Sequence, residues 1–168
     1  MTPPPIRAVV TEDILPLAHL WHHQWMRAHA DYVPKELTLL RTETDFQRRL
    51  RAFGQAARTI GPIGAPVGFC AIDGAELDQI YVDQTASGTG IADLLLADGE
   101  RRIAASGHTH ARLACVKENL RAQRFYSRNG WEESHTAIAN LATSTGDFPL
   151  DVVYFVKNLT TPDRSQRR

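Results

Sequence analysis

The feature that most restricts the fold is a strand, a helix and a second strand that follow one another in the middle of the chain. Residues 76–82 have the composition of a strand, residues 90–106 fit a helix, and residues 112–117 fit another strand. A helix that connects two strands of one sheet makes those strands parallel and the crossover right-handed. The fold therefore contains at least one parallel strand pair with a helix packed over it.

The segments on either side of this crossover predict a mixed sheet covered by helices. Thr11 is a candidate N-cap, Gly54 ends a helix, and Asp73-Gly74 is a hairpin signal. The other expected elements are strands at 6–10, 67–73, 131–141 and 151–158, and helices from 11 to about 30, at 42–53 and at 120–129. We expect one domain over residues 1–168, with a core at about 6–158 and a frayed polar tail at 160–168.

Charge and hydropathy exclude several functional classes. The 168 residues carry 19 Lys and Arg against 19 Asp and Glu, whereas general nucleic-acid binding needs an excess of basic side chains. No apolar run approaches the roughly 18 residues of a membrane span, and the first residues lack the regions of a signal peptide. We therefore expect a cytoplasmic enzyme or binding domain with no nucleic-acid or membrane partner. Cys70 and Cys115 stand in apolar runs and are expected to be buried free thiols.

The charges are nevertheless sorted along the chain. Residues 61–100 contain seven acidic residues and no Lys or Arg, and basic residues exceed acidic ones on both sides of this segment. An ordinary solvated surface and a functional separation of charge explain this pattern equally well.

A loop of small residues joins the first strand of the crossover to its helix. Its sequence is Asp83-Gln84-Thr85-Ala86-Ser87-Gly88-Thr89-Gly90-Ile91-Ala92. Glycine permits positive φ, and unpaired amides at a helix start create an anion site without a charged side chain. The absence of Lys from residues 61–100 excludes a P-loop, and the glycine spacing excludes the G-x-G-x-x-G dinucleotide motif. The loop is therefore a candidate phosphate site of another kind.

A second candidate segment follows the second strand of the crossover and runs from Asn119 to Trp131. The helical period places Asn119, Ala122 and Tyr126 on one face of this segment. Three arginines lie on its other sides: Arg121, Arg124 and Arg128. Capping and packing alone could explain Asn119 and Tyr126, but the two parallel strands would bring this helix beside the predicted anion site.

Together the two segments resemble the GNAT superfamily of acetyl-CoA-dependent N-acyltransferases. The loop is similar to the family's Q/R-x-x-G-x-G/A motif at Gly90 and Ala92, and residues 119–131 match its N-x-x-A-x-x-F-Y-x-x-x-G-[FW] segment at every specified position. Ser87 stands where the family usually has Gln or Arg, and Gln84 where Pro is frequent. The resemblance implies an α/β fold with a mixed, mostly antiparallel sheet of about six to seven strands and about four helices, in the order β-α-α-β-β-β-α-β-α-β-β.

The resemblance also implies the roles of individual residues, with acetyl-CoA as co-substrate and no metal. The cofactor would contact Ile80, Tyr81, Val82, Ser87, Gly88, Thr89, Gly90, Ile91, Ala92, Asn119, Arg121, Arg124 and Tyr126. Tyr126 would be the general acid, and Asn119 would position the pantetheine arm or the acceptor. Glu76 and Asp78, which alternate onto one strand face, are candidate bases, with water as the alternative.

The acceptor is expected beside the first helices, which contain an aromatic and His-rich stretch at 21–32. Core packing explains Trp21 and Trp25 better than ligand binding, and His19 with His23 lacks a third metal ligand. The favoured function is N-acetyltransfer to a small amine, with a cationic amine as a candidate acceptor, and a homodimer is compatible with the sequence. A non-catalytic acyl-CoA-binding module and a protein N-acetyltransferase stay open as alternatives.

Overall fold

The computed structural model describes residues 2–160, which form a sheet with helices on both faces. Its strands are β1 (Ile6–Ala8), β2 (Ala57–Ile60), β3 (Gly68–Asp73), β4 (Glu76–Val82), β5 (His110–Val116), β6 (Glu132–Thr143) and β7 (Gly146–Asn158). Its α-helices are α1 (Ile14–His29), α2 (Lys35–Leu40), α3 (Glu43–Phe53), α4 (Ile91–Ala105) and α5 (Leu120–Arg128). The tail expected at 160–168 lies almost entirely outside the described residues.

The sheet has the strand order β1-β2-β3-β4-β5-β7-β6. Strands β4 and β5 are parallel, and every other neighbouring pair is antiparallel. The expected α/β fold with a mixed, mostly antiparallel sheet is therefore confirmed, including the parallel crossover through α4. No helix within residues 2–160 is both long and apolar enough to cross a membrane.

Three local expectations need correction. A 3₁₀ turn at Thr11–Asp13 precedes α1, and the side chain of Thr11 caps neither element. The short helix α2 follows Pro34 and was not expected, because six residues are too few to show a helical period. Strand β7 begins at Gly146 rather than near residue 151. Thr42 is the N-cap of α3, since its hydroxyl oxygen accepts a hydrogen bond from the N–H of Asp45 at 3.1 Å.

Two hydrophobic clusters fill the faces of the sheet. Under α1 and α3, the Trp21 ring centroid lies 4.4 Å from that of Phe46 and 5.0 Å from that of Phe69. The expected core role of Trp21 and Trp25 is confirmed, because both are buried in this cluster. The second cluster lies under α4 and α5. Gly99 lets α4 approach the sheet closely, since a Cβ there would lie 2.9 Å from Cys70 Sγ.

A buried carboxylate joins the start of α1 to the edge of the sheet. Asp13 is fully buried and accepts hydrogen bonds from Arg7 Nη1 at 2.7 Å and from the backbone N–H groups of Val10 at 2.9 Å and Gly64 at 3.0 Å. Burial by itself would raise the pKa of Asp13, but the hydrogen bonds from Arg7, Val10 and Gly64 outweigh it and lower that pKa. The ionised form therefore stabilises the fold.

We expect Asp13→Asn to lower the free energy of unfolding at pH 7 by about 3 kcal/mol, because it leaves buried donors without their anionic acceptor. Since the folded-state pKa of Asp13 is lowered, the wild-type advantage is present above the unfolded pKa and declines as the pH falls through the folded one. Urea unfolding of both proteins at pH 7 and below about pH 4 measures this difference. The exposed Asp31→Asn is the control, and an equal loss in both variants would contradict the assignment.

Candidate active site

The candidate site is a cleft that opens where β4 and β5 diverge. These two strands share one residue pair, Glu76 with Arg112, near the start of β4. Beyond it, the β5-facing edge of β4 has no strand partner within residues 2–160, and a cleft of about 760 Å³ lies in the gap. From these two strands, the residues that line the cleft are Leu77, Asp78, Gln79, Ile80, Tyr81 and Val82 of β4 and Ala114, Cys115 and Val116 of β5.

A β-bulge directs the side chains of β4. Ala71 pairs with Gln79 and Ile72 pairs with Leu77, so Asp78 is the extra residue of the bulge. This change of register lets Leu77 and Ile80 share the cluster under α4, although they would face opposite sides of a regular strand. The carboxylate of Asp78 lies within the electrostatic reach of Arg49 and Arg41 at one end of the cleft.

The loop between β4 and α4 has the geometry expected of an anion site. Gly88 and Gly90 have φ angles of 75° and 83°, which residues other than glycine rarely adopt. Gly90 is the N-cap of α4. Within residues 2–160, no hydrogen bond uses the backbone N–H groups of Gly88, Gly90, Ile91 or Ala92. These amides and the positive end of the α4 dipole can therefore hold a phosphate.

Basic side chains for this anion come from α5. Arg121 Nη2 donates a hydrogen bond to Ser87 Oγ at 3.3 Å, which holds one arginine of α5 over the loop. Arg124 and Arg128 also line the cleft, and Arg128 lies 3.5 Å from Asp93. The serine at the position of the usual Gln or Arg is thus accompanied by an arginine from the next helix.

Intramolecular ion pairs account for much of the acidic segment at 61–100. Asp98 pairs with Arg102 at 2.9 Å, and Glu100 pairs with Lys157 at 3.0 Å. Glu76 lies 3.5 Å from Arg112, and it does not line the cleft, whereas Asp78 does. The separation of charge along the sequence is therefore largely cancelled in the fold.

Tyr126 lies in the cleft on the sheet-facing side of α5. Its ring packs between Trp131, at a centroid distance of 6.2 Å, and Phe155, at 6.0 Å. Burial raises the pKa of Tyr126 well above its ordinary value, so the phenol stays protonated at neutral pH. The structure brings the cofactor residues predicted from the sequence to the same cleft, except Thr89 and Ile91, which do not line it.

Asn119 connects α5 to α1 through a histidine that the sequence did not single out for a polar role. Asn119 Oδ1 accepts the N–H of Ala122 at 3.2 Å, and its Nδ2 lies 3.4 Å from His29 Nε2. His29 Nδ1 lies 3.1 Å from the carbonyl oxygen of Trp25, and burial lowers the pKa of His29 to about 4. His29 is therefore neutral at pH 7, with Nδ1–H as donor and Nε2 as acceptor.

The end of the cleft opposite the phosphate loop is polar and lies between α1 and α3. Gln24, Arg41, Arg49 and Asp78 line it, and the guanidinium carbon of Arg49 lies 4.5 Å from the centroid of the Trp21 ring. The sequence does not single out these two arginines, because a helical pattern indicates an apolar face but not which polar residues meet a cleft. His22 and His23 do not line the cleft.

Neither a metal site nor a reactive thiol is found in the described part of the chain. Residues 2–160 contain no group of three or more His, Cys, Asp or Glu side chains arranged to hold a metal, and His19 pairs with Glu43 at 2.8 Å. Cys70 and Cys115 are buried and free, as expected. Burial raises the pKa of each thiol to about 12, which disfavours the nucleophilic thiolate.

The chain has clear relatives in fold. The sequence pattern of the Acetyltransferase (GNAT) family matches residues 14–131. A GCN5-related N-acetyltransferase from Rhodopseudomonas palustris is 20% identical over 94% of this chain and 97% of that one, with a TM-score of 0.73. PaiA N-acetyltransferase from Thermoplasma acidophilum, in complex with coenzyme A, is 18% identical over 94% and 99%, with a TM-score of 0.65.

A third similar structure is the ribosomal-protein-S18-alanine N-acetyltransferase from Escherichia coli, which is 17% identical over 96% of this chain and 97% of that one, with a TM-score of 0.62. No curated protein matches the chain by sequence. At these identities the three structures establish a shared fold.

Replacing Arg121 by Met should raise the Kd for acetyl-CoA about fivefold, since a solvent-exposed charge contact is worth about 1 kcal/mol. The effect should shrink at high salt because the contact is exposed. Isothermal titration calorimetry measures it, with Arg101→Met as a control on an exposed arginine that does not line the cleft. Equal Kd values for Arg121→Met and the wild type would remove Arg121 from the phosphate site.

Proposed function

Because the chain belongs to the GNAT family of acetyltransferases, we propose that it transfers the acetyl group of acetyl-CoA to a primary amine by direct attack in a ternary complex. The observation that carries this proposal is one continuous cleft. The cleft joins a loop of free amides to Tyr126 and to a polar end beside Asp78. A cofactor with a diphosphate and a thioester could therefore enter from the loop and meet an acceptor that enters from the polar end.

The phosphate loop and the free edge of β4 would hold the cofactor. The amides of Gly88, Gly90, Ile91 and Ala92 would bind the diphosphate, with Arg121 and Arg124 beside them. The β5-facing backbone groups near Ile80 and Val82 would hold the pantetheine arm and the thioester oxygen. Donors set in place before the reaction stabilise a developing oxyanion without reorganisation.

Tyr126 would supply the proton that the leaving thiolate needs. Attack of the amine forms the N–C bond, the C–S bond then breaks, and the phenol donates its proton to the sulfur. The raised pKa of Tyr126 keeps the phenol protonated across the pH range in which the amine is neutral. Asn119, which its contacts with Ala122 and His29 hold in place, would position the pantetheine arm or the acceptor.

Asp78 is the better placed of the two candidate bases because it lines the cleft, whereas Glu76 contacts Arg112 outside it. Burial raises the pKa of Asp78, repulsion from Asp73 adds to this, and Arg49 and Arg41 oppose it. A raised pKa makes the carboxylate a stronger proton acceptor. Asp78 would accept the proton of the attacking amine directly or through water.

The proposal as a whole is tested by thiol release from acetyl-CoA with a panel of amino acids, polyamines, aminoglycosides and peptides. Turnover with at least one amine, with the N-acetylated product identified by mass spectrometry, would support it. Tight binding of acetyl-CoA without turnover across the panel would instead favour the non-catalytic binding module.

We expect Tyr126→Phe to lower kcat by about 100-fold, the lower end of the usual general-acid contribution, and to leave the Kd for acetyl-CoA nearly unchanged. The variant keeps the ring that packs against Trp131 and Phe155, so the fold should be preserved. Steady-state kinetics and calorimetry measure the two quantities. Wild-type turnover in this variant would show that Tyr126 is not the acid.

The pH dependence of kcat/KM can distinguish Asp78 from Glu76 as the base. If Asp78 is the base, wild-type kcat/KM falls as the pH drops through the raised pKa of Asp78, because the carboxylate becomes protonated. In Asp78→Asn this acidic limb of the pH profile should disappear, and kcat should fall by at least about tenfold. Glu76→Gln is the comparison, and a limb that disappears only in that variant would transfer the role to Glu76.

A further inference from the structure

The polar end of the cleft presents hydrogen-bond donors that have no acceptor. Arg49 projects from α3, and the described residues 2–160 offer its guanidinium no hydrogen bond or salt bridge. Gln24 projects from α1, and its Nε2 is buried without a hydrogen-bond partner in the same part of the chain. Both side chains line the cleft. The buried Nε2 of Gln24 is costly unless an acceptor satisfies it, and the half-buried guanidinium of Arg49 lines the same cleft, so this end is suited to a ligand that brings an acceptor.

Arg49 differs in this respect from the arginine beside it. Arg41 donates to Asp45 Oδ2 at 3.1 Å and to the carbonyl oxygen of Ala142 at 3.1 Å, so its charge and donors are already engaged. Burial lowers the pKa of Arg49 to about 10, and the nearby Arg41 contributes to this decrease. The guanidinium still carries its charge at pH 7 and stacks over the Trp21 ring, which leaves its donors free for an anion.

Among residues 2–160, one acid lines the same end of the cleft. Of the three aspartates that line the cleft, Asp83 and Asp93 belong to the phosphate loop and its helix, and Asp78 alone lies with Arg49. An apolar wall of Leu141, Leu150 and Val152 completes the described lining on the side of β6 and β7. A cation site, an anion site and an apolar surface thus stand together.

We propose that the acceptor is an α-amino acid with an apolar side chain, its carboxylate bound by Arg49 and Gln24 and its amine directed to Asp78. This inference rests on the proposed acetyltransfer and names its substrate class. The ammonium first loses a proton to Asp78, and the neutral amine then attacks to form the N–C bond and releases its second proton to water. The C–S bond breaks, Tyr126 protonates the leaving thiolate, and the carboxylate takes no part in the bond changes. A zwitterion matches the opposite charges of Arg49 and Asp78 better than the purely cationic amine expected from the acids of β4.

Matched amines test the proposal on the full chain. L-leucine and L-phenylalanine are each compared with their amides and with the amines that lack the carboxyl group, isoamylamine and phenethylamine. We expect kcat/KM for each amino acid to exceed that of its two partners by roughly tenfold to 100-fold, the range for hydrogen bonds to charged groups. The peptide Leu-Leu-NH₂, whose reacting amine has no adjacent carboxylate, should react as poorly as the amides.

Variants of the two donors should remove this preference. In Arg49→Met the advantage of the amino acids over their amides should fall by at least about tenfold, and in Gln24→Met by a smaller factor. Arg49→Lys keeps the charge and should retain part of the preference. Arg51→Met, an exposed arginine of α3 that does not line the cleft, is the matched control and should behave as the wild type. An unchanged Kd for acetyl-CoA verifies that each variant is folded.

Two results would overturn the proposal while leaving acetyltransfer intact. One is an equal or higher kcat/KM for the amides, the amines or the peptide, and the other is an unchanged amino-acid preference in folded Arg49→Met. Calorimetric binding of L-leucine and leucinamide separates the two proposals if no amine is turned over. Selective binding of L-leucine that Arg49→Met abolishes would support the carboxylate site even though the proposed activity fails, and equal or no binding of both would overturn the site.

Discussion

The parting of two parallel strands is the constraint on which the site depends. After a single residue pair, β4 and β5 separate, and the facing edge of β4 gives up the hydrogen bonds that a continuous sheet would make. Buried backbone groups must find other partners, so a gap of this kind favours a ligand or water between the strands. The divergence also separates α4 from α5, so that the loop and Tyr126 face one cleft from opposite sides.

Contacts away from the cleft fix the position of α4 relative to α5 and the sheet. Glu100 of α4 accepts hydrogen bonds from Trp131 Nε1 at 2.9 Å and from Lys157 Nζ at 3.0 Å, which links α4 to the chain beyond α5 and to β7. Gly99, the residue before Glu100, lets α4 pack closely against the sheet. The neutral total charge of the chain thus includes ion pairs that stabilise the fold, whereas Arg49 lines the cleft with no ion-pair partner among residues 2–160.

Much of the fold and half of the site could be predicted from local patterns. The glycines at 88 and 90 indicate a positive φ, and the N-x-x-A-x-x-F-Y segment indicates one face of a helix. Both signals come from residues close together in the sequence. Helix α2 was missed because six residues give too short a period, and the bulge at Asp78 was missed because an extra residue in a strand has no signature of its own. Arg49 could not be recognised, since its role depends on which side of α3 meets the cleft.

The sequence by itself determined the family, the parallel crossover, the amide-lined loop and the tyrosine beside it, because each of these follows from a pattern within a segment or from the order of consecutive segments along the chain. Only the tertiary structure decided which acid enters the cleft, where Arg121 lies relative to Ser87, and that Arg49 and Gln24 share one polar end. These relations join residues on separate elements, such as α1, α3 and β4. Their meeting depends on how the helices pack on a twisted sheet, which no local pattern encodes.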